Sequence, residues 1–259
     1  MIRSIKQRFK EHGFLFSELV KRDFKKKYKR TYLGMLWSIL SPLLSLLVMR
    51  IVFTQFFGRN MEHYTIYLFC GNIIFSFFND ATNSGMSSLM DNAGIFSKVN
   101  VPKYLFLFSK NISSLINFSL TFVVFIVFSA IDGVAFTPTF LLLIYPILCL
   151  IVFNMGVGLI LSALFVFFRD IQYLWGVFSM LLMYVSAIFY TTDGYTPLVQ
   201  KLFYLNPVFV YIKYFRIAVL DAGVPSLEHH LLAFGYAAIA FLIGALIYKT
   251  KNHKFLYYV

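Results

Sequence analysis

Lys21-Arg22-Asp23-Phe24-Lys25-Lys26-Lys27-Tyr28-Lys29-Arg30 runs directly into Thr31-Tyr32-Leu33-Gly34-Met35-Leu36-Trp37 and then into unbroken apolar sequence. On a helix, Phe16, Leu19, Val20, Phe24 and Tyr28 share one face, while Lys21, Arg22, Lys25, Lys26, Lys29 and Arg30 occupy the rest. The pattern predicts an amphipathic helix over 14–33 that lies in a membrane interface. Its rings sink to headgroup level and its lysines face anionic lipid and the cytoplasm. Such a helix serves as an anchor alone, or also as a contact for a partner protein or for a substrate headgroup entering from the inner leaflet.

Composition agrees with a membrane reading. The chain has 259 residues, 59% hydrophobic and 13% charged, whereas soluble domains average about 25% charged residues. A net charge of +12 would suggest nucleic acid in a soluble protein. Here 11 of the 23 Lys and Arg precede Leu36, which reads as an insertion signal, and no nucleic-acid partner is expected. Cys70 and Cys149 each fall inside an apolar block without metal-ligand spacing, so neither a metal site nor a disulfide is expected. The first apolar block follows a long basic segment, which is unlike a cleavable signal peptide.

A span needs about 20 mainly apolar residues. The candidates are 36–57, 64–78, 112–131, 140–168, 171–190 and 231–248, the second being short. Six spans place both termini on one side. With that side cytoplasmic, 18 Lys and Arg lie inside and four (Arg59, Lys201, Lys213, Arg216) outside, and Arg50 falls within the first span. Between the fifth and sixth spans, Thr196-Pro197 reads as a helix start and Asn206-Pro207 as a break. Residues 208–220 are too short to cross, so two short helices are expected to dip into the outer leaflet and return. The fold class is therefore all-α integral membrane: one domain over 1–259, with six transmembrane helices, an amino-terminal interface helix and two re-entrant helices.

Several residues could carry function. The long loop expected at 80–110 contains Ile95, Phe96, Lys98, Val99, Val101, Pro102 and Lys103, whose apolar members would be odd in water and hint at a docking surface. Arg169 and Asp170 sit in a tight turn, where they either cap two helix ends or meet a cytoplasmic partner. Arg50, in the middle of an apolar span, should face protein or water, for structural pairing or at a polar path. Tyr184, Phe189 and Tyr190 could line a conduit and stack against sugar rings. There is no Gly-x-x-x-x-Gly-Lys-Ser/Thr loop for ATP and no hydrolase motif, and the spans nearly lack acidic residues. No catalytic residue is assigned, and another component must supply the energy.

The stretch from Lys27 to Trp37 with Ser41-Pro42 resembles the amino-terminal signature of type-2 ABC exporter permeases, in the branch that exports O-antigen, capsule and wall teichoic acid. Val166-Phe167-Phe168-Arg169-Asp170-Ile171, Ala187-Ile188-Phe189-Tyr190 and Leu205-Asn206-Pro207 follow in the same order. The resemblance implies a homodimer in the bacterial cytoplasmic membrane, with two separate ATPase subunits that bind ATP and Mg, and a lipid-linked glycopolymer as substrate. It further implies a coupling helix in 92–103 (Ile95, Phe96, Lys98, Val101, Pro102, Lys103), joined on the ATPase side by the Arg169-Asp170 turn. The interface helix, with Phe24, Lys26, Tyr28 and Arg30, lies beside the ATPase. The outer gate falls at 196–220, where Asn206 and Pro207 join Arg50, Tyr184, Phe189 and Tyr190 as channel or gate candidates. Two departures stand out: Val101-Pro102-Lys103 replaces the usual Phe-Pro-Arg, and lysine lacks arginine's planar fork. Ala187 stands where proline is frequent. A drug or small-lipid exporter of the same superfamily, or a membrane-embedded lipid-modifying enzyme using Asp80, Asp91 or Asp170, are the alternatives.

Overall fold

The computed structural model describes residues 2–29, 31–57, 61–99 and 101–258, with side chains from residue 13 onward except at 28, 35 and 55–57. The described residues form helices joined by short segments, without a strand. In chain order these are α1 (Ile2–Tyr28), α2 (Trp37–Phe57), α3 (Tyr64–Asp91), α4 (Ala93–Phe96), α5 (Tyr104–Ile131), α6 (Ile144–Phe167), α7 (Ile171–Val185), α8 (Pro197–Phe203), α9 (Pro207–Val219) and α10 (Leu227–Lys251). Short 3-10 turns precede α2 and α6 and follow α10.

Among the described residues, four segments are long and apolar enough to cross a bilayer: Trp37–Thr54 in α2, Tyr104–Ile131, Pro138–Phe167 and Leu227–Lys251. They would be five if α8 and α9, whose axes differ by 104°, counted as one broken span. At 15 residues α7 is apolar but short.

At the centre lies α3, packed on α2, α5, α6, α7 and α9. The long loop expected from residue 80 is instead the second half of this helix, and the connection shrinks to 92–103. Several of its polar residues satisfy themselves locally. Thr82 Oγ1 donates to the Phe78 carbonyl at 2.7 Å and Asn83 Nδ2 to the Asn79 carbonyl at 2.8 Å. Bonds of this kind let hydroxyls and amides stay within a helix. Ala81, Gly85 and Leu89 then recur on one buried face, where Gly85 lets α6 approach, since an added Cβ would lie 3.3 Å from the Gly158 Cα.

The tightest seam joins α6 to α10. A Cβ on Gly156 would lie 2.4 Å from backbone atoms of Ala240 and Phe241, and one on Gly244 would lie 2.7 Å from the Gly156 carbonyl. Only glycine permits that backbone approach. By contrast α2 and α7 are nearly bare. Leu44, Leu47, Val48 and Ile51 of α2, and Leu174, Val177 and Leu181 of α7, present exposed apolar side chains.

α7 stops at Val185, five residues before the expected end, because Ala187 takes a left-handed backbone (φ 50°) and the carbonyls beyond are drawn to other partners. α1 also turns differently from its sequence pattern. Its inward face carries Leu19 and Asp23, both buried, with Leu15 packed beside them, while Phe16, Val20 and Phe24 are only half-buried. Asp23 belongs inside because Arg22 and Ser109 satisfy it.

Candidate functional site

Three regions bring functional side chains together. The first is at the end of the bundle holding α1. Arg22 donates to Asp23 Oδ1 and to Asn92 Oδ1, both at 2.7 Å, and Ser109 Oγ donates to Asp23 Oδ2 at 3.1 Å. These bonds tie α1 to α5 and to the start of the 92–103 connection. Within that connection Phe96 and Val101 are buried, in a cluster with Leu19, Phe106, Leu107, Val166 and Phe255. Ile95 is half-buried, whereas Lys98 and Val99 are exposed. The segment is thus a small projection whose feet are Phe96 and Val101 and whose tip is Ser97-Lys98-Val99. Pro102 leads into Lys103, whose Nζ lies 5.6 Å from the ring centres of both Phe96 and Phe255 and donates to the Asn252 carbonyl. Burial there lowers the Lys103 pKa from its ordinary value. Arg169 and Asp170 are exposed on the α6–α7 turn, with the Arg169 guanidinium 5.7 Å from the Phe165 ring. Asp170 starts α7 without a side-chain capping bond. Of the interface-helix residues, Phe24 is half-buried and Lys26 exposed; the Tyr28 side chain and Arg30 lie outside the described residues.

The second region is a groove of about 570 Å³ between α2, α3 and α5. Each helix contributes a polar stripe at helical spacing: Ser38, Ser41 and Ser45; Asn72, Ser76 and Asp80; Ser114, Asn117 and Thr121. Trp37, Phe77 and Phe118 add ring surface. Lys27 closes one end by pairing with Asp80 at 2.9 and 3.0 Å. None of these stripes was expected from the sequence. The signal was present as polar residues recurring at i, i+3 and i+4, but its meaning requires knowing that the three helices adjoin.

The third region is at the opposite end. Arg216 of α9, 5% exposed, donates to the carbonyls of Ala187 (2.8 Å), Ile188 (3.0 Å) and Tyr67 (3.2 Å), with its guanidinium 3.4 Å from the Tyr67 ring centre. Tyr64 and Tyr67 hydroxyls donate to the Phe189 and Tyr190 carbonyls at 2.7 and 2.6 Å. Asn206 Nδ2 reaches Ser186 Oγ at 2.8 Å while its Oδ1 caps α9 through the Val208 and Phe209 amides. The non-helical run 186–190 is therefore clamped by α3 and α9. Phe189 is buried and stacks on Phe53 of α2 at 4.4 Å; Tyr190, half-buried, donates to the Tyr184 carbonyl. Of the channel and gate candidates, Tyr184, Phe189, Tyr190, Asn206 and Pro207 share this region, whereas Arg50 stands exposed on α2, one turn before Phe53. Arg216, treated in the sequence only as an outer-side charge, is its central cation. A charge in a short apolar helix was the available signal.

A family model described as ABC-2 type transporter matches residues 15–220, which take in the second and third regions and all of the first except Asn252 and Phe255. The chain belongs to the ABC-2 type transporter family. Members similar to it over nearly its whole length include the O-antigen export system permease protein RfbA of Myxococcus xanthus, 24% identical over 259 residues and covering 98% of each chain. A Klebsiella pneumoniae RfbA is 27% identical over 248 residues, 94% of this chain and 95% of the relative. The polysialic acid transport protein KpsM of Escherichia coli is 22% identical over 239 residues, 91% and 92% of the two chains.

Proposed function

We propose that this chain is the membrane subunit of an ATP-driven exporter that carries a lipid-linked polysaccharide from the cytoplasmic to the outer side of the bacterial cytoplasmic membrane. The observation that carries the reading is the groove between α2, α3 and α5. Polar groups inside a bilayer are expensive unless they serve a polar path, and three adjoining stripes of hydroxyls and amides suit sugar hydroxyls and a polar headgroup. Relatives named for O-antigen, polysialic acid and capsule transport favour polysaccharide over teichoic acid or a drug.

In this reading α2, α3, α5, α6, α7 and α10 are six spans, and α8–α9 is a re-entrant hairpin entered from outside. The 104° turn between α8 and α9 supports a hairpin over a seventh crossing, as does the concentration of lysines and arginines beside α1 and after α10. Both termini are then cytoplasmic. The bare apolar faces of α2 and α7 suit a second copy of the chain, which would close the open side of the transport path. Two ATPase subunits bind ATP and Mg and seat against the Ser97–Val99 tip, with the Arg169-Asp170 turn alongside. Their closure moves the projection, and the clamp at 186–190 gates the outer end. No covalent step occurs on this chain.

Reconstitution of the permease with its ATPase in vesicles, followed by ATP-dependent uptake of lipid-linked polysaccharide, tests the proposal. Ser41→Leu with Ser76→Leu should abolish uptake while leaving the complex assembled. Undiminished uptake by that variant, or ATP hydrolysis by the purified chain alone, would overturn it.

A further inference from the structure

On the flank formed by α5, α6 and α10, a second trough of about 520 Å³ opens beside the Pro102–Lys103 end of the 92–103 connection. It shares no lining residue with the polar groove. Its walls are apolar and aromatic: Tyr104 and Phe108 from α5, Phe241 and Ala245 from α10. Its charge is one-sided, since Lys103 and Lys249 both line it and no acidic side chain does among the described residues. Neither lysine takes part in an ion pair among the described residues. Lys103 spends one donor on the Asn252 carbonyl, and an ammonium has three. A half-buried cation against two rings, with donors to spare and no counter-ion among the described residues, is a site short of an anion. An apolar trough continuing from such a cationic rim selects an anion that carries an apolar tail.

We propose that this trough binds an anionic phospholipid of the leaflet at the α1 end, its phosphate between Lys103 and Lys249 and an acyl chain along Phe108, Phe241 and Ala245. The bound lipid joins the end of the 92–103 connection to the end of α10. It therefore sets how firmly that projection is braced against the bundle. The inference stands independently of what the chain exports.

The purified full chain, titrated with phosphatidylglycerol and in parallel with phosphatidylethanolamine and read by native mass spectrometry, tests it. The expected result is a saturable phosphatidylglycerol adduct that phosphatidylethanolamine does not reproduce. Lys103→Gln with Lys249→Gln should weaken it by about 30-fold, each juxtamembrane lysine being worth a little over a fivefold change in affinity. Lys251→Gln with Lys254→Gln removes the same charge outside the trough and should have far less effect. Ala245→Phe fills the trough while leaving both lysines, and should also displace the lipid. Equal binding of the two lipids, equal loss in the Lys251/Lys254 variant, or phosphatidylglycerol binding untouched by Ala245→Phe would each overturn the proposal. So would displacement by glycerol phosphate as effective as by the lipid, which would point to a soluble anion or an acidic protein segment.

Discussion

Replacing Arg216 by lysine keeps the buried charge and removes only the fork that holds it. The guanidinium reaches three carbonyls on two different segments, at 2.8, 3.0 and 3.2 Å. One ammonium on a shorter reach can serve one of them well. Losing two charge-assisted hydrogen bonds at about 1.5–3 kcal/mol each disfavours the closed clamp by about 3–6 kcal/mol. Since about 1.4 kcal/mol is a tenfold change in an equilibrium, even the lower end of that range raises the population of the opened run 186–190 by about a hundredfold. Hydrogen exchange on the chain in lipid nanodiscs reads this directly, as faster exchange of the 186–192 amides. The α6–α10 seam should keep its protection, because no bond of Arg216 reaches it. Unchanged exchange at 186–192 in Arg216→Lys would refute the clamp, and an equal rise along α6 and α10 would show that Arg216 supports the whole bundle instead.

Further outcomes are expected at the α6–α10 seam, on α10, in the 92–103 connection and at the groove mouth. Gly156→Ala drives a methyl to within 2.4 Å of the α10 backbone, and the forced separation should cost about 1–3 kcal/mol, seen as a lower unfolding midpoint in detergent. Gly235→Ala on α10 meets nothing within 4 Å and should be neutral or gain up to about 1 kcal/mol in the same assay. In the 92–103 connection, Phe96→Ala empties a buried site and should destabilise by about 3–5 kcal/mol, whereas Lys98→Glu at the exposed tip should leave the melting point intact and weaken co-purification of the ATPase. Across the groove mouth, Lys27→Asp and Asp80→Lys should each impair uptake and partly rescue one another when combined. Their effect on stability should stay within about 1 kcal/mol because both side chains are partly solvated.

Much of this architecture was legible where local chemistry decides it. The basic run before Leu36 marked the entry to α2, Thr196-Pro197 marked the start of α8, because a proline in the first helical turn loses no hydrogen bond, and Asn206-Pro207 marked the break at which α9 begins. What stayed hidden depends on partners distant in sequence. The second half of α3 reads as a loop by composition, yet side chains such as Thr82 and Asn83 are satisfied by carbonyls one turn back. The early end of α7 is set by Arg216, nearly thirty residues later. The Leu19–Asp23 face of α1 could be recognised only once Ser109 was in place to receive the carboxylate. The polar groove between α2, α3 and α5 was the least readable of all, since each of its stripes alone resembles ordinary serine and asparagine scattered along a helix.

One feature of α3 sets how force can travel. Its 28 residues form an unbroken rod of about 42 Å, free of proline. Its first turn holds Tyr64 and Tyr67 against the α7 bend, and its last adjoins Asn92, where Arg22 is anchored. Gripped at both extremities and packed along its length on α5 and α6, such a rod would move as one piece. A nudge near Asn92 would thus swing the far tyrosines as the opposite arm of a lever, with no intermediate joint to tune, and selection for coupling strength would act on the grips rather than on the shaft.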